Sequence, residues 1–248
     1  MALKTMLCLA VAACGLMPLP ARAERLQAFT EDVPPLNYLD HGRVKGFSTE
    51  LLQLVAKEAG FELDIETLPW LRAYARARST PGALLYTLVR TPERESQFQW
   101  VGPISPRRIY LYKLAERRDI RIASSAELAR YRNGALAGSA AAKQLAEMGL
   151  SGDSLDIGHS DTSDLQKLVL GRLDMVAMLD WAMAWQLRQL HLPANTVEPA
   201  WLLDGKQQYW FALNPNSPPD WRKRLQSALD KIGADGRAQA IMRRYLNE

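Results

Sequence analysis

The chain reads as an α/β protein of two lobes. Apolar strands alternate with amphipathic helices along nearly its whole length, and the alternation starts afresh as a second set after residue 113. The run LDMVAML at 173–179, apolar but for Asp174, has the character of a strand covered on both sheet faces. Two sets of modest size suit two lobes better than one large sheet.

The elements follow in order. Lys4 precedes the apolar run MLCLAVAACGLM, then come Pro18, Pro20 and Ala21-Arg22-Ala23. A basic start, an apolar run too short to span a bilayer and a small-x-small triplet predict a secretory signal cut after Ala23. Val11-Ala12-Ala13-Cys14-Gly15 offers an alternative, since it resembles a lipobox that would leave Cys14 acylated. Residues 26–29 read as the first strand and 49–59 as a helix, with Leu51, Leu52, Val55 and Ala59 as its buried stripe and Gly60 as its stop. Strand 61–68, helix 71–78 and strands 83–89 and 109–113 complete the first set.

The second set has helix 126–131, strand 135–138, helix 140–148, strand 155–158, helix 164–170 stopped by Gly171, and strand 173–179. A last strand at 208–213 precedes NPNSPP and two closing helices, 221–232 and 237–246.

Composition narrows the function classes. Both cysteines, Cys8 and Cys14, fall inside the signal, so the processed chain has no disulfide, thiolate nucleophile or cysteine-held metal. It keeps 225 residues, enough to bury one or two cores. The net charge of +4 falls to +2 once Lys4 and Arg22 are removed, too mild for a nucleic-acid partner. Arg72, Arg76 and Arg78 make a solvated helix face. His41, His159 and His191 are too scattered for a metal set, and G-x-S-x-G, H-E-x-x-H and the P-loop are absent. No second apolar run reaches membrane-spanning length, which predicts a soluble product unless the chain is lipidated.

Four segments carry a resemblance in their order along the chain: PPLNYLDHGRVKGFSTELLQLVAKEAG, RTPERESQFQWVGPI, the stretch from SDTSDLQKL to GRLDMVA, and ADGRAQAIMRRYL. Together they resemble the bacterial extracellular solute-binding proteins of the polar amino-acid type (family 3), the periplasmic receptors of ABC import systems. The resemblance implies a type II periplasmic-binding-protein-like fold with two crossover strands. Its lobe 1 would comprise residues 24–107 and 206–248, and its lobe 2 residues 108–205. It further implies a ligand between the lobes, no prosthetic group, a monomer in the periplasm and an inner-membrane permease as partner. An enzyme is not expected.

The resemblance also implies a site. Arg94, in Thr91-Pro92-Glu93-Arg94, is the candidate for gripping a ligand carboxylate as a bidentate fork; pairing with Glu93 or Glu95 is its ordinary alternative. Val89 stands where relatives carry a hydroxyl, so one ligand hydrogen bond is missing unless Arg90 substitutes. Trp70 would wall the pocket or staple the following helix, and Arg72 would point into the cleft or into water. Ser139 opens a helix after Gly138 and would hold an anionic group or simply cap. Asp180 approximates the acid that receives the ligand ammonium, but follows Asp174 by six residues where the family has five; capping the next helix is the alternative. Glu31 and Tyr38 flank the first turn as possible lining.

A lyase on the same fold, resembling cyclohexadienyl dehydratase with Glu31 as its acid, is the alternative in another class. A receptor for a membrane signalling partner would look the same in sequence. A lytic-transglycosylase partner domain is disfavoured, because it would call for further chain after the last helix.

Overall fold

The computed structural model describes residues 24–246, so the signal and lipobox expectations lie outside the described residues. The elements are β1 (Glu24–Thr30), β2 (Tyr38–Asp40), β3 (Arg43–Lys45), α1 (Phe47–Glu58), β4 (Phe61–Thr67), α2 (Trp70–Ser79) and β5 (Ala83–Val89). The long β6 (Gln99–Leu114) leads to β7 (Asn133–Leu136), α3 (Ala140–Glu147), β8 (Leu155–Gly158), α4 (Asp161–Val169), β9 (Met175–Leu179) and α5 (Asp180–Gln189). The long β10 (Val197–Leu213) returns, and α6 (Pro219–Ala234) and α7 (Arg237–Leu246) close the described chain.

Helix α1 shows why the pattern folds this way. Phe47, Leu51, Leu52 and Val55 recur at helical spacing and are fully buried, each contributing about 1.5–3 kcal/mol relative to exposure. Gly46 before it has φ +115°, and a Cβ there would lie 2.4 Å from the Leu36 carbonyl oxygen, so only glycine fits. Gly60 after it takes φ +79°, the left-handed stop expected from the sequence.

The strands form one eight-stranded sheet in the order β4-β1-β5-β10-β6-β9-β7-β8. Strands β4, β1 and β5 are parallel, as are β8, β7 and β9. Between the two trios, β10 and β6 pair antiparallel over nearly their full length. The two α/β sets are therefore joined by a shared ribbon into one hydrogen-bonded ladder, rather than forming separate sheets. Its register slips four times, between Pro199/Trp201, Leu202/Asp204, Asp204/Gln207 and Tyr209/Phe211.

Each half has core on both faces of its sheet. In the first, Leu26, Phe47, Leu51, Phe211 and Leu225 pack on one side, and Phe29, Ala77, Leu85 and Trp100 on the other. In the second, Leu111, Leu128 and Leu145 lie opposite Tyr112, Leu165 and Leu187. Helices α6 and α7 return to pack on α1. The halves also touch through α5, where Trp181 lies 4.7 Å from Phe47 and Arg188 donates to the Tyr245 carbonyl.

Three elements differ from expectation, one of them β10, which begins at Val197, eleven residues before the strand read at 208–213. β6 begins ten residues before the strand read at 109–113; over 99–106 it pairs only with β10, and that free edge tolerates Pro103 and Pro106. In place of the α-helix expected at 126–131 there is a short 3₁₀ segment, Ser125–Arg130.

Candidate functional site

The parallel trios end in Thr30, Thr67 and Val89 in the first half, and in Leu136, Gly158 and Leu179 in the second. Crevices outside the carboxyl ends of such strands are where open α/β sheets hold ligands, because the following turns bring side chains and free helix N-termini together.

In the first half, Glu31 directly follows β1. It is half-buried, and that burial pushes its carboxyl above the ordinary range. Trp70 opens α2 and packs on Tyr74 at 5.4 Å. Arg94 sits in a short 3₁₀ turn after β5, where its Nη1 donates to the Val89 carbonyl at 3.1 Å. Its guanidinium lies 5.5 Å from the Trp70 ring centre and 5.8 Å from that of Tyr74. Arg94 forms no salt bridge with either neighbouring acid, since Glu95 is held by both Nε and Nη2 of Arg90. Arg90 is further placed 4.7 Å over the Trp210 ring.

One residue here was missed in the sequence. Thr87 has φ +64°, rare for a β-branched residue, and is the extra residue of a bulge: Tyr86 pairs with Phe211 and Leu88 with Trp210, leaving Thr87 unmatched. Its buried hydroxyl has no hydrogen-bond partner among the described residues, and neither has that of Thr67 at the end of β4. Strain of this kind costs about 1–3 kcal/mol and gathers at functional sites. No composition signal marks Thr87, because the bulge depends on the register with β10.

In the second half, Ser139 caps α3, its Oγ accepting from the Ala142 amide at 3.1 Å. It lines a cavity of about 100 Å³ with Arg107, Leu136, Asp161 and Leu179. Arg107 is paired with Asp204 across the ribbon at 3.1 Å. Asp161 is the first residue of α4, and burial, aided by Asp164, pushes its carboxyl up. Sequence reading placed Asp161 in the SDTSDLQKL segment without giving it a role, and Arg107 carried no motif. The halves meet electrostatically at Tyr209. Burial pushes its phenol up to about 12, while it also feels Arg107, Asp180 and Glu31.

Asp180 does not line the Ser139 cavity. Leu179 pairs with Ile109 and faces the Ser139 cavity, whereas Asp180 turns to the opposite face. There its Oδ2 accepts from Arg108 Nε at 2.8 Å, and its Oδ1 accepts from the Trp181 amide at 2.9 Å. The sixth residue after Asp174 is one step beyond the fifth, and one step along a strand reverses the face. Burial pushes the Asp180 carboxyl up, and Arg108 opposes the rise. Tyr38 is also elsewhere, stacked 4.8 Å from Trp185 of α5 where the halves touch. Arg72 stands exposed on the first turn of α2.

A sheet with two cores, bridged by two long strands and with strand ends converging from both halves, defines the type II periplasmic-binding-protein class of fold. The chain belongs to the bacterial extracellular solute-binding proteins, family 3, whose pattern matches residues 27–248. Among solved structures it is similar to substrate-binding domain 2 of Lactococcus lactis GlnP in the open conformation, with a TM-score of 0.75 at 19% identity over 93% of this chain and 98% of that one. It is also similar to a histidine kinase sensor domain with similarity to periplasmic binding proteins, with a TM-score of 0.64 at 18% identity over 90% and 97%. In sequence it is 25% identical over 230 residues to membrane-bound lytic murein transglycosylase F of Pseudomonas savastanoi pv. phaseolicola, covering 89% of this chain and 45% of that protein. The chain thus spans less than half the length of the curated relatives it matches. Among the described residues no helix is long and apolar enough to cross a membrane, and no three His, Cys, Asp or Glu side chains gather as a metal site.

Proposed function

We propose that the chain captures a small carboxylate-bearing ligand, zwitterionic or anionic, between its two halves. The observation that carries this reading is Arg94, positioned by the Val89 carbonyl and two aromatic rings and in no salt bridge among the described residues, in the turn after the strand that carries Thr87. Glu31 and Asp161 are the acids for a ligand ammonium, because Asp180 is committed to Arg108. Ser139 and the start of α3 offer amides to a further anionic group.

In this reading the product is exported by residues 1–23 to the periplasm, works as a monomer without a cofactor, and presents its closed form to an ABC-type permease. A ligand contacted from both halves binds the closed state best, and that difference drives closure. The likeness to a histidine kinase sensor domain favours a second reading, in which closure reports to a membrane signalling partner.

The test is a thermal-shift screen of residues 24–248 against amino acids, small organic acids, polyamines and prephenate, followed by calorimetry and a check for turnover. A saturable rise in melting temperature that Arg94→Ala removes supports capture. Conversion of a hit to product would replace capture with lyase chemistry, and binding indifferent to Arg94→Ala would refute the proposed site.

A further inference from the structure

On the face of β6 turned away from Ser139, Arg108, Tyr110, Tyr112 and Asp180 line a cavity of about 290 Å³. We propose that this cavity is a second small-molecule site, distinct from the crevice, which takes a monocarboxylate with a compact aromatic or branched apolar body.

Strand alternation separates the two sites. Arg107 and Ile109 face the small cavity with Ser139, whereas Arg108, Tyr110 and Tyr112 face this one, so the sheet itself lies between them. The volume is near the lower bound of about 300 Å³ for small-molecule pockets. Its walls are apolar where a ligand body would rest: Met183 and Leu187 from α5, Val197 from β10, and Leu246 from α7. The Tyr110 and Tyr112 rings stand edge to face with centres 5.7 Å apart, which gives a fixed aromatic wall.

Hydrogen-bond accounting sets the sign of the ligand. Each oxygen of Asp180 accepts one bond, Oδ2 from Arg108 Nε and Oδ1 from the Trp181 amide, and its ion pair with Arg108 offsets the charge that would draw an ammonium. Arg108 donates only through Nε, and its two Nη groups have no hydrogen-bond partner among the described residues. A guanidinium held at Nε presents its two Nη groups as an oriented fork, the geometry that a carboxylate matches. Neutral and cationic ligands with the same body would leave that fork unfilled.

Calorimetry of residues 24–248 with indole-3-acetate and phenylacetate tests the site, with tryptamine and 2-phenylethanol as controls. The carboxylates should bind saturably at one site and the controls more weakly by about tenfold or more. Arg94→Ala should leave this binding within about twofold, since Arg94 lies on the other side of the ribbon. Ala184→Leu, which fills the cavity, should abolish it. Arg108→Lys keeps the ion pair with Asp180 but loses the fork, and should weaken binding by about tenfold; it remains decisive if the leucine variant does not fold. Loss of binding in Arg94→Ala, equal binding of 2-phenylethanol, an unaffected Arg108→Lys, or no saturable heat at millimolar ligand would each overturn the proposal.

Discussion

Leu179 and Asp180 are neighbours in the chain, yet they face opposite sides of the sheet, Leu179 with Ser139 and Asp180 with Arg108. Asp180 is therefore expected to matter for stability more than for crevice binding. Asp180→Ala leaves Arg108 and the Trp181 amide without their acceptor, and should cost about 3 kcal/mol, the lower end for breaking a buried pair because Arg108 is a third exposed. Chemical denaturation measures the loss, and affinity for a crevice ligand should change by less than about threefold. A collapse of affinity in a folded variant would return Asp180 to the crevice.

Arg94→Ala should behave in the opposite way. The guanidinium rests on one carbonyl and two ring faces with no salt bridge among the described residues, so its removal should lower the apo melting temperature by only a few degrees. Ligand affinity should fall about thirtyfold or more, the cost of removing one partner of a charged pair. Isothermal calorimetry beside a melting curve separates the two effects.

Thr87→Val keeps the branched shape and the bulge but removes a buried hydroxyl that no described residue satisfies. Apo stability should hold or rise by about 1 kcal/mol, while ligand affinity drops about tenfold. Thr87→Gly should stabilise the apo protein through relief of the left-handed backbone, again with weaker binding. A large stability loss in the valine variant would mean that the hydroxyl has a structural partner.

Asp161 supplies a pH test. Burial and Asp164 raise its carboxyl pKa in the folded state, so the fold disfavours its charged form. That preference contributes stability fully below the unfolded pKa, near pH 4, and the contribution is lost as pH rises through the raised folded value. Asp161→Asn should accordingly be more stable than the parent at pH 7, with the gain vanishing below about pH 4. Denaturation midpoints at pH 3.5 and 7 check it; an equal gain at both would assign the effect to something other than ionisation.

Local pattern made most of the fold readable. The stripe Leu51, Leu52 and Val55 and the stop at Gly60 give α1 to within two residues at its start, and α7 matches the expected 237–246 at both ends. The ribbon was half-read, because β6 carries two prolines and the first half of β10, with Pro199 and Gly205, lacks clean alternation. Site residues divide the same way. Arg94, Trp70, Ser139 and Glu31 lie at strand ends, positions a motif can mark. Thr87 and Arg107 depend on pairing register, and Asp180 on which face a single extra residue selects, and neither is encoded in any one segment.

The four slips between β6 and β10 carry a mechanical meaning. An unbroken antiparallel ladder resists bending out of its plane, since every rung must strain together. A ladder whose rungs are missing at intervals over 199–211 yields there first, as a leaf spring yields where it is thinned. Both cores hang from this one compliant stretch. Rotation of one half against the other can then be absorbed in the ribbon while the packed cores on either side move as solid bodies.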